Sequence, residues 1–240
     1  MRGEETASGA RPLELHPQRH EHEASQQADF PARVFRLGLF VNLLLRVMII
    51  HFAAESVMLP DDERFAGKGL SSRNIVIAAG FSMLFPVHYF LRKKWPRYPV
   101  WMDALYLSIF GFDMAGNSFN LFDMYEHFDL LPHTWGPGAL AVVCMWWQGW
   151  SALSAAGVTT MIHVWLECEE FWGDMSFGTH NVRGAWDTVG DLGAGLAGVT
   201  AVIVGSAIIG KWHPRHAIPE PVPHEIKPIP FPDPRAARTS

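Results

Sequence analysis

Five predominantly apolar runs, residues 34–54, 75–91, 100–122, 138–166 and 185–210, decide what this chain can fold into. A helix rises about 1.5 Å per residue, so about 20 apolar residues cross a hydrocarbon core about 30 Å thick. Inside that core every backbone polar group must find its partner within the segment. The runs therefore predict an all-α fold, a polytopic transmembrane helix bundle of about five spans. The run at 138–166 would add a sixth crossing if it turned near Gln148, Gly149 and Trp150, although two full spans need about 38 residues plus a turn.

Composition supports this once its distribution is considered. Hydrophobic residues make up 49% of the chain and charged residues 18%, apolar for a water-soluble domain. The charge gathers at the two ends. Three regions follow: a polar, disordered N-terminal tail at 1–32, a transmembrane helical domain at 33–211, and a C-terminal tail at 212–240. That last tail is interrupted by Pro219, Pro221, Pro223, Pro228, Pro230, Pro232 and Pro234, which excludes helix and favours extended backbone. The polar N-terminus lacks the apolar core of a removable signal, so the first span is expected to act as its own insertion signal. A net charge of −5 argues against a nucleic-acid partner. Cys144 and Cys168 sit in apolar sequence and make neither a disulfide framework nor a cysteine zinc site.

Charges flanking the runs orient them. Arg33 and Arg36 precede the first, Arg92, Lys93, Lys94 and Arg97 follow the second, and Asp61, Asp62 and Glu63 lie between. The positive-inside rule then places the N-terminus in the cytoplasm. Five spans would export the C-terminal tail, whereas Lys211 and Arg215 after the last run suit an even number.

Charged groups in apolar helices cost at least about 2.5–3.5 kcal/mol near mid-bilayer, so those that persist face the bundle interior and have partners. His163, Glu167 and Glu170 recur at i, i+4 and i+7 and share a helical face, with Asp174 beyond them. Asp187 and Asp191 share a face at the start of the last run, and a short loop brings the two helix ends together. Carboxylates gathered so closely repel one another unless Arg183, protonation or a divalent metal with His163 as a nitrogen ligand offsets them. A second, weaker metal-ligand pair is Asp123 and His127, spaced i, i+4 in the loop before the fourth run, where Asp129 and His133 also lie. Asp113, Asn117 and Asn120 share a face of the third run, which fits an interhelical hydrogen-bond stripe. Gly193, Ala197, Ala201 and Gly205 form a stripe of small residues suited to helix packing, and Gly190, Ala194 and Gly198 beside it leave room for a ligand or a neighbour. The tryptophans fit interfacial belts better than a cofactor cage, and no paired-histidine spacing within one helix supports a haem.

The block Glu167, Glu170, Asp174, Gly178-Thr179 and Trp186-Asp187-Thr188, then Asp191-Leu192 and glycine-rich apolar sequence, resembles the uncharacterised bacterial inner-membrane family named for YjdF, and more distantly the VanZ-like proteins. The resemblance covers about 123–198. It implies an inner-membrane helical protein, an Asp-x-x-x-His element ahead of a span that Asp123 and His127 would match, and envelope or lipid chemistry by analogy. Two functions compete at this level. One is a cation- or proton-binding site formed by His163, Glu167, Glu170, Asp187 and Asp191, serving transport or envelope-lipid chemistry. The other is a non-catalytic subunit of a larger membrane complex. The expected partners are the lipid bilayer and other membrane proteins or a second copy of the chain.

Overall fold

The computed structural model describes the backbone of residues 17–212 and the side chains of residues 33–210 apart from Pro96. Within those residues the chain is helical throughout, without a strand: α1 (Pro17–Met58), α2 (Leu70–Ala79), α3 (Leu84–Leu91), α4 (Val100–Ser118), α5 (Leu121–Met124), α6 (Leu130–Gln148), α7 (Ala152–Phe177) and α8 (Ala185–Trp212). Helix α1 begins at Pro17, so part of the polar segment expected as a disordered tail is helical; residues 1–16 and the proline-rich 213–240 lie outside the described residues. Two units are distinguished, residues 1–203 and 204–240, and the described part of the second is the end of α8.

Among the described residues, three stretches are long and apolar enough to cross a membrane: Arg33–Met58, Leu70–Leu91 and Ala185–Gly210. The second is interrupted, because α2 hands over to α3 through a tight turn at Phe81–Met83. The other two expected spans differ from their prediction. Helix α4 stops at Ser118 and carries Asp103 and Asp113, which dilute its apolar character. The run at 138–166 is not continuous but breaks at Gly149, whose φ of 68° is left-handed and suits a residue without a Cβ. Ser151 then caps α7 by accepting a hydrogen bond from the Ser154 amide. Apolar length underestimated both helices. Helix α6 reaches back to Leu130 and α7 runs on to Phe177, recruiting polar residues such as His133, Glu167 and Glu170 that interrupt an apolar window.

Packing is most extensive between α1 and α4, and α6 packs against both α7 and α4. Ile49, Phe52 and Ala53 of α1 meet Ile77 of α2 and Leu107 and Met114 of α4; Phe85 of α3 joins Tyr106 and Val143 in a second cluster. In a bilayer these contacts stabilise the bundle through close van der Waals packing rather than by removing apolar surface from water. Large apolar side chains elsewhere face outward on several helices, including Phe40, Leu91, Leu153 and Met161, as they must where the surroundings are hydrocarbon.

A polar clamp ties α1 to α4. Asp103, fully buried, accepts from Asn42 at 2.7 Å, from Arg46 and from the Tyr98 hydroxyl; Arg46 also donates to the Ser82 carbonyl and to Asn42. At one end of the bundle the loops hold each other. The His180 amide donates to the Gly67 carbonyl at 2.9 Å, and Lys68 pairs with Asp123 at 3.1 Å. In the loop after α1, side-chain and backbone hydrogen bonds from Arg64 hold the Asp62 carboxyl down at about 2.

Candidate metal centre

Three helices deliver the polar groups that meet inside the bundle. Helix α6 opens with Asp129 followed four residues later by His133, one turn on and on the same face. Asp129 occupies the N-cap position without making a capping bond, and its carboxylate instead lies 3.3 Å from His133 Nε2. Two features loosen the backbone there. Pro132 sits in the first turn, and Pro137 has no N–H for the carbonyl of His133. Helix α7 contributes His163 and, one turn later, Glu167. Helix α8 contributes Asp191.

His133 Nδ1 lies 2.9 Å from His163 Nε2 and 3.2 Å from Glu167 Oε1, while His163 Nε2 lies 3.3 Å from the same oxygen. These atoms form a nearly equilateral triangle. With metal–ligand distances of about 2.0–2.1 Å, ligand atoms of a tetrahedral ion stand about 3.3 Å apart. The triangle therefore has ligand dimensions, its corners about 1.8 Å from their common centre. His163, Glu167 and Asp191 are buried, at 7%, 4% and 5% exposure.

The second nitrogen of His133 explains the orientation of the first. Nε2 faces Asp129 at 3.3 Å and Asp191 Oδ1 at 3.9 Å. The two carboxylates favour a proton on Nε2, and Nδ1 faces His163 and Glu167. Asp129, His133 and Asp191 thus form a carboxylate-backed imidazole beside the triangle.

Helix α8 can approach this closely because its facing residues are glycines. A Cβ on Gly195 would meet His163 Nδ1 at 2.2 Å, and one on Gly198 would meet the Thr134 carbonyl at 2.0 Å. The small residues near Asp191 thus admit a neighbouring helix at Gly195 and Gly198. The stripe expected to pack does not do so at Gly193, where a Cβ would meet nothing within 4 Å among the described residues.

The expected site residues divide. His163, Glu167 and Asp191 come together. Asp187 instead accepts from the Arg183 amide at 2.8 Å, and Glu170 lies outside both ligand-sized groups, with Arg73 and Asp113 among its electrostatic neighbours. Asp113 is paired with Arg73 at 2.6 Å. Arg183 does not offset the buried carboxylates; it donates to the Phe122 carbonyl and lies 4.0 Å from Asp123. His127 is exposed, and neither it nor Asp123 joins the cluster. Asn120 leaves the α4 stripe altogether, adopting a left-handed φ of 56° ahead of α5.

Two members, His133 and Asp129, were legible only as loop residues. The signal for them was a second Asp-x-x-x-His element, Asp129 to His133, six residues after Asp123 to His127 and directly ahead of apolar sequence.

Beyond Glu167 an apolar cleft of about 200 Å³ opens between α7 and α8, walled by Val164, Phe171, Trp172, Thr188 and Leu192. At the end of α7, Asp174 accepts from Thr179 Oγ1 at 2.6 Å and from the amides of Asn181 and Val182 at 3.0 and 2.8 Å. Burial raises the Asp174 carboxyl, but these donors prevail and hold it below its ordinary value. No family model matches the chain, and no curated protein and no solved structure matches it.

Proposed function

We propose that this chain is an integral membrane metalloprotein that binds one divalent transition-metal ion through His133 Nδ1, His163 Nε2 and Glu167 Oε1. The observation that carries the reading is the triangle of 2.9, 3.2 and 3.3 Å among these atoms. Two imidazoles and one carboxylate suit zinc or another borderline first-row ion, and three protein ligands leave a position for water or substrate. Asp129 and Asp191 act behind His133, fixing its tautomer and raising its basicity. The ion would serve envelope-lipid chemistry or transport.

The topology that accommodates this is six crossings, one each for α1, the α2–α3 pair, α4, α6, α7 and α8. Six crossings return the C-terminus to the cytoplasmic side with the N-terminus, which agrees with Lys211 and Arg215 following α8. The loops after α1, α4 and α7 then share the outer face of a bacterial inner membrane, with the metal ligands below them. The likeness to the YjdF-like family, whose Asp-x-x-x-His element Asp123 and His127 would match, belongs to the same proposal. A 26-residue α7 is longer than the hydrocarbon core requires, so its last turn, with Asp174, projects beyond it.

Elemental analysis of purified protein tests the metal. About one ion per chain is expected in the wild type, with loss in His163→Ala and Glu167→Ala and retention in Gly193→Ala. Absence of metal from the wild type, or its persistence in both ligand variants, overturns the reading. A non-catalytic subunit role is the second reading, favoured by the exposed small-residue face at Gly193, Ala197 and Ala201. Reproducible co-purification of other subunits after gentle extraction would support it, and an isolated chain with full metal content would count against it.

A further inference from the structure

The cleft between α7 and α8 indicates what meets the metal. It reaches Glu167, one of the three proposed ligands, and apart from Glu167, Cys168 and Thr188 its lining is apolar. Its surroundings are mostly apolar as well: Trp165, Phe171, Trp172, Val189 and Leu196 are exposed on these two helices, with Glu169 an exposed charge among them. Helix α8 lies within a stretch long and apolar enough to cross a membrane. With α8 crossing a membrane, the cleft's α8 wall meets acyl chains. A polar solute entering there would shed its hydration without gaining partners along the walls. A hydrocarbon chain loses nothing on entry and makes close contacts.

We propose that the cleft takes the acyl chain of a membrane amphiphile whose ester or amide carbonyl oxygen reaches the open position on the ion. This rests on the metal reading above and adds the class of ligand. A carbonyl oxygen is the fitting polar end, since a borderline divalent ion with two nitrogens and one carboxylate accepts an oxygen donor and polarises it. The carbonyl is also the polar group that lies next to the chain in such lipids. The route is lateral, from the bilayer between two helices.

Chain-length dependence of a metal-directed probe tests the proposal. Cobalt-substituted protein is titrated with acetohydroxamate and with octanohydroxamate, following the cobalt absorption bands, and cobalt content is measured on the same samples. The two probes share a metal-binding head and differ by six methylenes, so the longer should bind at least about 100-fold more tightly. Leu192→Trp, which fills the cleft from α8, should reduce that ratio below about tenfold with cobalt content unchanged; Val164→Phe provides the same block from α7 if Leu192→Trp does not fold. A ratio near one in the wild type overturns the proposal, as does a large ratio that neither variant changes. Failure of the wild type to take up cobalt overturns the metal reading instead, and with it the carbonyl contact proposed here.

Discussion

Two buried polar groups in this chain are built on opposite principles. Between α1 and α4, Asn42, Arg46 and Tyr98 all donate to Asp103 Oδ2, and Arg46 also donates to Ser82, Asn42 and Tyr98. Between α6 and α7, His133 Nδ1, His163 Nε2 and Glu167 Oε1 face one another, with no arginine or lysine paired to them among the described residues. The first group carries its own counter-charge, and its donors all meet Asp103 Oδ2 while Oδ1 stays buried without a hydrogen-bond partner. The second has no arginine or lysine beside its carboxylate among the described residues. Burial alone does not separate structural from functional polar groups; the counter-charge beside them does.

The largest effect should come from breaking the first group. Asp103→Ala strands Arg46 inside the bundle and is expected to cost about 3–5 kcal/mol, because an uncompensated buried charge is left behind. Denaturant unfolding in detergent measures it. A cost below about 1 kcal/mol would dissolve the contrast, since Arg46 would then be finding other partners.

Metal removal should come next. With free ion at about 100 times its dissociation constant, chelation is expected to lower wild-type stability by about 2.7 kcal/mol. The same treatment should leave Glu167→Ala unmoved, because nothing is bound to remove. Thermal unfolding with and without chelator compares them. Equal shifts in the two proteins would show the chelator acting elsewhere.

A smaller loss is expected one step away from the ion. Asp129→Ala should weaken metal affinity about 10- to 100-fold while full occupancy remains attainable at saturating metal, as is usual when the carboxylate behind a histidine ligand is removed. Competition against a chromophoric chelator reads this directly. Unchanged affinity would mean that Asp191, 3.9 Å from the same nitrogen, suffices to hold the imidazole.

These predictions lean on residues that were unevenly visible in the chain. Helical character and the face shared by His163 and Glu167 follow from apolar length and from spacing, both local properties. Asp191 was visible for the same reason, as a carboxylate in an apolar helix. What stayed hidden is tertiary. The Arg46 clamp joins residues 57 positions apart, and nothing local marks Asp103 as its partner. His133 was hidden for another reason: a boundary drawn by hydropathy stops where polar residues begin, and α6 starts eight residues before the apolar run at 138. The turn at Gly149, by contrast, falls where the sequence offers a break between two crossings. Asp123 and His127 had the right spacing, yet the loop that holds them is pinned by Lys68 and Arg183 away from the cluster. Spacing places two side chains on one face but does not say which way that face points.

Asp174 offers the mildest test, because it repeats the donor-rich design at an accessible position. Thr179, Asn181 and Val182 all donate to its carboxylate and so set the path of the chain from α7 to α8. Its carboxyl titrates below the ordinary 3.8 in the folded protein, so the unfolded chain takes up its proton first. The stabilisation is therefore fully present above about 4 and is lost as pH falls through the lower, folded value. Exchange of the Asn181 and Val182 amides, corrected for intrinsic rates, should accelerate over that interval, whereas Asp174→Asn should exchange faster throughout and without the pH step. The metal ligands provide the counterpart. Acid protonates imidazole and carboxylate ligands and expels the ion, so metal should leave at a pH well above that at which the Asp174 loop opens. Simultaneous loss of both would mean that the loop and the ligand triangle form one cooperative unit, and the contrast between the two kinds of group would then not extend to this end of the molecule.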